Sequence, residues 1–302
     1  MGSASTSYEA CSVYIAHEYF NADWTPFYFA DVAAELAEAK LGFIGTAHLI
    51  DQIDIVNLTA EQQALLAAVD DPVLRQGLRD FIVNQQFRRD IFVKGALPLS
   101  VPESRALWSE QRFTLTTLRA DVPLKATGAL GEADLQAEVY VPILDALAAG
   151  PVTMRELIAT KSIADLGWAR ITQALAVLVG IGHVQPCLPA ADEAKRTQRT
   201  RAFNAAVMKR AEGSADLQFL ASPVTGGGVA ADRIQQLFLA GLAKKGGDPV
   251  AHAWSVLAAQ GQALLKDGQP LNGAESNLTE LRQRFQAFAE KRLPVLKQLG
   301  VA

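Results

Sequence analysis

The chain has 302 residues, which is more than a single hydrophobic core usually organises, so two or three domains are expected. Half of the residues are hydrophobic and a fifth are charged, a composition that excludes a disordered protein. Its formal net charge of −4 argues against a general binder of nucleic acids or anionic membranes, because such proteins are normally basic. The two cysteines, Cys11 and Cys187, lack the spacing of a metal site and predict free thiols in a reducing cytoplasm. The longest apolar run is too short to span a bilayer.

The most distinctive segment runs from His17 to Lys40, HEYFNADWTPFYFADVAAELAEAK, and continues as LGFIGTAHL. Thr25 is typical of a helix N-cap, and Pro26 suits the first helical position. The apolar residues that follow recur at i, i+3, i+4 and i+7, which predicts an amphipathic helix. A short buried strand is predicted over residues 41–44.

Further helices and strands are predicted before residue 120. Thr59 is the N-cap of a helix, and Glu61 lies only two residues later, so the pattern predicts no full capping box. A second helix, VLRQGLRDFIVNQQ, follows Pro72. Strands are predicted over residues 89–94 and 112–118, with Pro98 and Pro102 in the loop between them.

Two segments carry a family resemblance. HEYFNADWTPFYFADVAAELAEAKLGFIGTAHL, together with RDFIVNQQFRRDIFVKG over residues 79–95, resembles the regulatory domain of bacterial S-adenosylmethionine-dependent methyltransferases. Some members of that family are protein lysine methyltransferases. In the family this domain follows a catalytic domain, whose glycine-rich strand-to-helix turn holds the cofactor. No such turn occurs in this sequence, so the resemblance implies that S-adenosylmethionine binds in an absent N-terminal domain and that this chain holds no cofactor.

The centre of the chain has the element order of a winged helix. A helix precedes residue 150, Thr153 and Glu156 predict a capping box for a short second helix, and ARITQALAVLVGIG predicts a third helix before a strand at 183–186. Residues 134–188 carry three basic and five acidic side chains, and the third helix offers one arginine. DNA binding needs several cationic and polar side chains, so the sequence favours packing or protein interaction.

The predicted fold is mainly α with short β-strands, an α+β class. The last third is helical, and residues 195–210 carry six basic residues, which are interpreted as a solvated face with an acidic-peptide contact as the alternative. We predict three domains: a regulatory domain at 12–120, a winged-helix-like module at 121–189 and a helical domain at 190–302.

Candidate sites are few. His17 beside Glu18 is interpreted as a structural histidine packed among aromatic side chains, with an acid–base switch as the alternative. Arg88 and Arg89 are interpreted as pairing locally with Asp80 or Asp90, with an anion or acidic partner as the alternative. The predicted interface residues are His17, Glu18, Tyr19, Trp24, Phe27, Tyr28, Arg88 and Arg89, and a weaker candidate for an anion-binding turn is Gly226, Gly227 and Gly228.

The sequence therefore predicts a non-catalytic portion of a methyltransferase, without metal or catalytic residues. Its expected partner is the N-terminal catalytic domain of the same polypeptide, with a protein substrate as a further partner, and neither membrane nor nucleic acid. Residues 1–7 are interpreted as a leader joined to a fragment. Two alternatives stay open: a stand-alone winged-helix protein that binds partners or nucleic acid, and an enzyme with its site at Gly226–Gly228.

Overall fold

The computed structural model describes residues 15–20, 22–23 and 25–302. Residues 15–19 are helical. The helices that follow are α1 (Phe29–Glu38), α2 (Asp54–Asn57), α3 (Ala60–Ala67), α4 (Pro72–Val83), α5 (Val101–Glu110), α6 (Ala137–Ala148), α7 (Met154–Ala159), α8 (Gly167–Gly180), α9 (Glu193–Arg210), α10 (Arg233–Leu242), α11 (Pro249–Ala259), α12 (Gly273–Ala287) and α13 (Leu293–Gln298). Single 3₁₀ turns lie at Leu49–Gln52, Arg119–Asp121 and Ala164–Leu166, and a π-helical turn lies at Phe288–Arg292.

The strands are short and all pair in antiparallel fashion. They are β1 (Leu41–Thr46), β2 (Asp90–Lys94), β3 (Arg112–Leu115), β4 (Lys125–Gly128), β5 (Gly131–Asp134), β6 (Val152–Thr153), β7 (Val184–Cys187), β8 (Phe219–Ala221), β9 (Gly228–Ala230), β10 (Leu265–Lys266) and β11 (Gln269–Pro270). They form one three-stranded sheet, in the order β6–β3–β7, and four two-stranded ladders. The predicted α+β class is confirmed.

The chain divides into two compact units. The first contains residues 1–47 and 58–97, and the second contains residues 48–57 and 98–302. The three-domain division at residues 120 and 189 stays a prediction.

In the first unit, α1 packs on α4 and on the β1–β2 ladder. The ladder joins Leu41 to Lys94 and Thr46 to Asp90, and a bulge lies between Phe43 and Gly45. Its core is aromatic: the ring centroid of Phe29 lies 5.0 Å from that of Phe43 and 6.4 Å from that of Phe92. Edge-on and tilted ring pairs at such distances stabilise a small core beyond the area that they bury.

In the second unit, one apolar core joins α6, α7 and α8 to the three-stranded sheet. Ile143, Leu144, Leu175 and Leu178 are fully buried in it. The predicted capping box is present, because Thr153 accepts from the amide of Glu156 while the Glu156 carboxylate accepts from the amide of Thr153. The helix–strand–helix–helix–strand order agrees with the predicted elements, and the winged-helix assignment itself stays a prediction.

A second core in this unit holds the C-terminal helices together. Leu220, Leu237, Phe238, Leu281 and Leu296 are buried in it, and Phe238 packs edge-on against a neighbouring phenylalanine at 5.2 Å. Leu237 and Phe238 lie on the apolar stripe of α10 and are among its buried residues.

Three local predictions are wrong. The first long helix begins at Phe29 and not after Thr25, and Tyr28 precedes it without a side-chain cap. Thr59 does form a capping box, because its N3 partner is Gln62 and glutamine serves as well as glutamate. Pro102 lies inside the first turn of α5 and not in a loop, because a proline at that position loses no intrahelical hydrogen bond.

Two histidines, His183 and His252, are expected to make the stability of the fold depend on pH. Burial lowers the pKa of His183, whose Nδ1 lies 2.9 Å from the Thr117 hydroxyl, and burial together with the nearby Lys244 lowers the pKa of His252. Below an unfolded pKa of about 6.5 the unfolded chain binds more protons than the folded chain. The free energy of unfolding is therefore expected to fall as the pH is lowered from about 7.5 to about 5.5.

Urea denaturation across this pH range measures the slope. The double variant His183→Gln and His252→Gln should flatten it, and each single variant should flatten it in part. A slope that the double variant leaves unchanged would contradict the assignment to these two side chains.

Candidate interaction surface

The first unit carries a wide groove between α1 and α4. Its volume is about 950 Å³, and it is bordered by the residues that precede α1 and by the start of β2. The lining is mainly apolar. It includes Pro26, Phe27, Tyr28, Phe29, Val32, Leu36, Val73, Leu74, Gly77, Leu78 and Phe81.

Large aromatic side chains are exposed around this groove. Phe27 is 67% exposed, Tyr28 68% and Phe81 73%, and the rings of Tyr28 and Phe81 lie 6.2 Å apart. Phe87, just before β2, is 83% exposed. Single exposed apolar residues are ordinary, but a contiguous cluster marks a surface that binds something apolar. We call Phe27, Tyr28 and Phe81, which line the groove, the aromatic face; Phe87 is not part of the lining.

An ion-pair network fixes one wall of the groove. The Arg88 guanidinium donates to Asp80 at 2.5 Å and to both carboxylate oxygens of Asp90 at 2.7 and 3.0 Å. It also lies 4.2 Å above the ring of Phe29. Burial raises the pKa of Asp80, and Arg88 opposes that rise. The local pairing that the sequence favours is therefore present, and it holds α4, β2 and α1 together.

The structure distributes the other predicted interface residues unevenly. Phe27 and Tyr28 lie at the groove, while Arg89, next to the paired Arg88, is exposed. His17, Glu18 and Tyr19 are exposed on the helical turn at 15–19, so the interpretation of His17 as a packed histidine is wrong. Trp24 and Cys11 lie outside the described residues.

Sequence reasoning missed Phe81 and Gly77 as members of this surface. In α4, Arg79 is 6% exposed while Phe81 points outward, the reverse of what hydropathy predicts. The only sequence signal for Phe81 was its place inside the segment 79–95 that carries the family resemblance, and Gly77 lies outside that segment.

The glycine turn has few amide groups available for an anion. The Gly226 amide donates to the Ser222 carbonyl at 3.0 Å, and the Gly227 amide donates to the Thr225 hydroxyl. Gly228 begins a strand, so no helix follows the turn directly. An anion would have to displace these bonds, and the anion-binding turn stays a prediction.

The third helix of the central module, α8, buries its apolar face in the core. Ile171, Ala174, Leu175, Val177 and Leu178 are buried in the core. Arg170 is its one basic residue, and this side chain donates to Gln136. The described part of this helix therefore lacks the polar row with which a recognition helix contacts bases.

Other chemistry is sparse in the described part of the chain. Cys187 is a free, buried thiol, and burial raises its pKa to about 11, so it is unreactive at neutral pH. Among the described residues, no three His, Cys, Asp or Glu side chains are grouped to hold a metal ion, and no helix is long and apolar enough to cross a membrane.

Residues 12–94 match the family model of a predicted methyltransferase regulatory domain. This segment is similar to methyltransferase regulatory domains. The resemblance predicted from the sequence is thereby confirmed, and the groove between α1 and α4 lies within the matched segment.

Relatives extend the likeness beyond the regulatory domain. The uncharacterized protein sll1526 of Synechocystis sp. is 42% identical over 289 residues, which cover 96% of this chain and 57% of that protein. The chain thus spans less than three fifths of the length of that relative.

Two solved structures share the fold. The structure of PKMT2 from Rickettsia typhi matches with a TM-score of 0.56 and 14% identity, covering 96% of this chain and 63% of that one. PKMT2 in complex with AdoHcy matches with a TM-score of 0.54 and 16% identity, covering 98% and 63%. At these identities the likeness concerns the fold alone.

Proposed function

We propose that this chain is the regulatory and C-terminal portion of an S-adenosylmethionine-dependent protein methyltransferase. In this proposal the chain itself performs no methyl transfer. Its regulatory domain docks against a catalytic domain that binds the cofactor, and thereby controls access of a protein substrate. The regulatory-domain match and the AdoHcy complex of a protein with the same fold support the methyltransferase role.

The observation that carries the docking proposal is the aromatic face. Burying one exposed phenylalanine contributes about 1.5–3 kcal/mol, so a partner that covered the three rings would gain enough to offset part of the cost of association. Interfaces are enriched in aromatic residues and arginine at their centres, and the face combines exposed rings with a neighbouring exposed Arg89.

The groove also explains why the face would be specific. The ion pairs of Arg88 lock its wall, and α1 and α4 define its sides, so little side-chain entropy is lost when a partner binds. Gly77 lines the groove, and a Cβ added there would have no atom within 4 Å, so the groove is open at this point. A partner side chain fits where Gly77 has none.

Binding in trans tests this proposal. The part of the Synechocystis relative outside the aligned region would be produced alone and titrated with this chain by calorimetry, and S-adenosylmethionine-dependent methyl transfer would be measured with and without the chain. We expect saturable binding and a changed rate of methyl transfer. Absence of both would overturn the proposed function.

Variants locate the docking face. Phe81→Ser, and Gly77→Trp as an obstruction, are each expected to weaken binding at least about tenfold, because each removes or blocks an apolar anchor worth more than about 1.4 kcal/mol. Phe203→Ser is the matched control, since Phe203 is an exposed phenylalanine in the second unit. If both groove variants bind as tightly as the wild type, docking occurs through another surface.

A further inference from the structure

A second, separate cavity lies among the C-terminal helices. It has a volume of about 320 Å³ and is bordered by α10, α12 and the π-helical turn. Two guanidinium groups, those of Arg284 and Arg292, line it beside Ile234 and Phe288. The one acidic side chain in the lining is Asp232, and its carboxylate is engaged as the N-cap of α10, accepting from the Gln235 amide at 2.8 Å.

Arg292 is the unusual member of this cavity. Its Nη2 donates to the Ala230 carbonyl at 2.7 Å and its Nη1 donates to the Thr116 carbonyl at 3.4 Å, both neutral acceptors. A guanidinium has five N–H donors, so three remain without an acceptor among the described residues. No carboxylate in the described part of the chain pairs with Arg292, and burial lowers its pKa.

Only some of the N–H donors of Arg284 are used in hydrogen bonds. It pairs with Glu280 at 2.8 Å and donates to the Leu265 carbonyl at 2.8 Å, which leaves Nη1 available. The charge in the lining that lacks a counter-charge among the described residues is therefore that of Arg292, because Arg284 is paired with Glu280. A half-buried charge without a counter-charge costs free energy, and an anion in the cavity would recover it.

The position of Arg292 follows from the irregular helix that precedes Pro294. Pro294 has no amide to donate to the carbonyl four residues earlier, so the regular helix is interrupted and Phe288–Arg292 forms a π-helical turn. Such turns widen the helix locally and occur often at functional sites. The turn presents Arg292 to the cavity, while Phe288 stays buried in the core.

We propose that this cavity binds a small organic anion, with a carboxylate or phosphate group on Arg292 and Arg284 and an apolar body against Ile234 and Phe288. The proposal is independent of the docking function of the regulatory domain. A structural clamp, in which Arg292 only ties its two carbonyl acceptors together, is the alternative that the experiment must exclude.

Titration of the whole chain with three matched probes tests the site. Phenylphosphonate and benzoate carry the two anionic groups on one apolar body, and benzamide is their neutral counterpart. Binding would be followed by calorimetry and by the shift in melting temperature. We expect saturable binding of at least one anion and at least about tenfold weaker binding of benzamide, because hydrogen bonds to charged groups are the strong ones.

Two variants and a control decide where the anion binds. Arg292→Met and Arg284→Met should each weaken anion binding at least about tenfold, whereas Arg282→Met, an exposed neighbour on α12, should leave it unchanged. If Arg292→Met does not fold, Arg284→Met alone decides. The proposal would be overturned if benzamide bound as tightly as the anions, if Arg284→Met left anion binding unchanged, or if the wild type showed no saturable binding. The role of Arg292 as a structural clamp would then be the remaining explanation.

Discussion

Replacing Arg88 by methionine is expected to destabilise the first unit by about 3 kcal/mol. The side chain of Arg88 is 18% exposed, and its partners Asp80 and Asp90 are similarly enclosed. Removing the cation leaves two carboxylates close together with little solvent around them, which is the costly way to break an enclosed ion pair. The ring of Phe29 also loses the guanidinium that lies above it.

Urea denaturation of the wild type and the variant at neutral pH measures this loss. Arg89→Met is the matched control, because Arg89 is the exposed neighbour, and a change within about 0.5 kcal/mol is expected. Equal effects of the two substitutions would show that the network around Arg88 contributes no more than a surface charge.

The difference in free energy of unfolding between the wild type and Arg88→Met should also depend on pH, which provides a second test. Burial already raises the pKa of Asp80 in the wild type, and loss of Arg88 removes the charge that opposes this rise. A carboxyl whose folded pKa is raised destabilises the fold as pH rises and ceases to do so once it is protonated. The gap in stability between wild type and Arg88→Met should therefore narrow as the pH is lowered from about 7 toward about 4.

Local sequence signals predict much of the fold. The capping box at Thr153 depends on residues three positions apart, so its geometry is specified locally. The start of α5 differs from the prediction, because the two prolines favour a loop while Ser100 and Glu103 form a capping box. The cap, which is also a local signal, specifies the structure there.

The interaction surface could be predicted only in part. Phe27 and Tyr28 stand out in the sequence, but the groove exists because α4 brings Phe81 against Tyr28 from more than fifty positions later. Pairing of β1 with β2 across about the same separation sets that arrangement, and no local pattern specifies its register. The cavity at Arg292 likewise depends on carbonyls of Thr116 and Ala230, which are distant in sequence.

Gly128→Ala is expected to destabilise the second unit by about 3 kcal/mol, from overpacking together with weakened hydrogen bonds. Gly128 ends β4 at the tip of a hairpin that packs on residues 48–57. A methyl group there would lie 2.2 Å from the Val56 carbonyl oxygen and 2.8 Å from the Asn57 side-chain oxygen. Both are atoms that cannot move aside cheaply, since the first belongs to the backbone and the second is buried.

The substitution would also weaken the hydrogen bonds that Asn57 makes. Its amide donates to the carbonyls of Ile50 and Ile53 at 2.6 and 2.9 Å, and its oxygen accepts from the Ala129 amide at 2.8 Å. The Leu130 amide donates to the Val56 carbonyl at 3.3 Å. Pushing the hairpin away lengthens the last two bonds together, so hydrogen exchange at the amides of Ala129 and Leu130 should accelerate with the loss of stability.

Gly213→Ala is the matched control in the same unit, because its new methyl group would meet nothing closer than a backbone oxygen at 3.9 Å. We expect it to change the free energy of unfolding by less than about 0.5 kcal/mol. If Gly128→Ala is equally mild and exchange at Ala129 is unchanged, the close approach of the hairpin to Val56 is not part of the folded state. If the expected loss is found, that contact is one of the points that fix the segment 48–57 in the second unit.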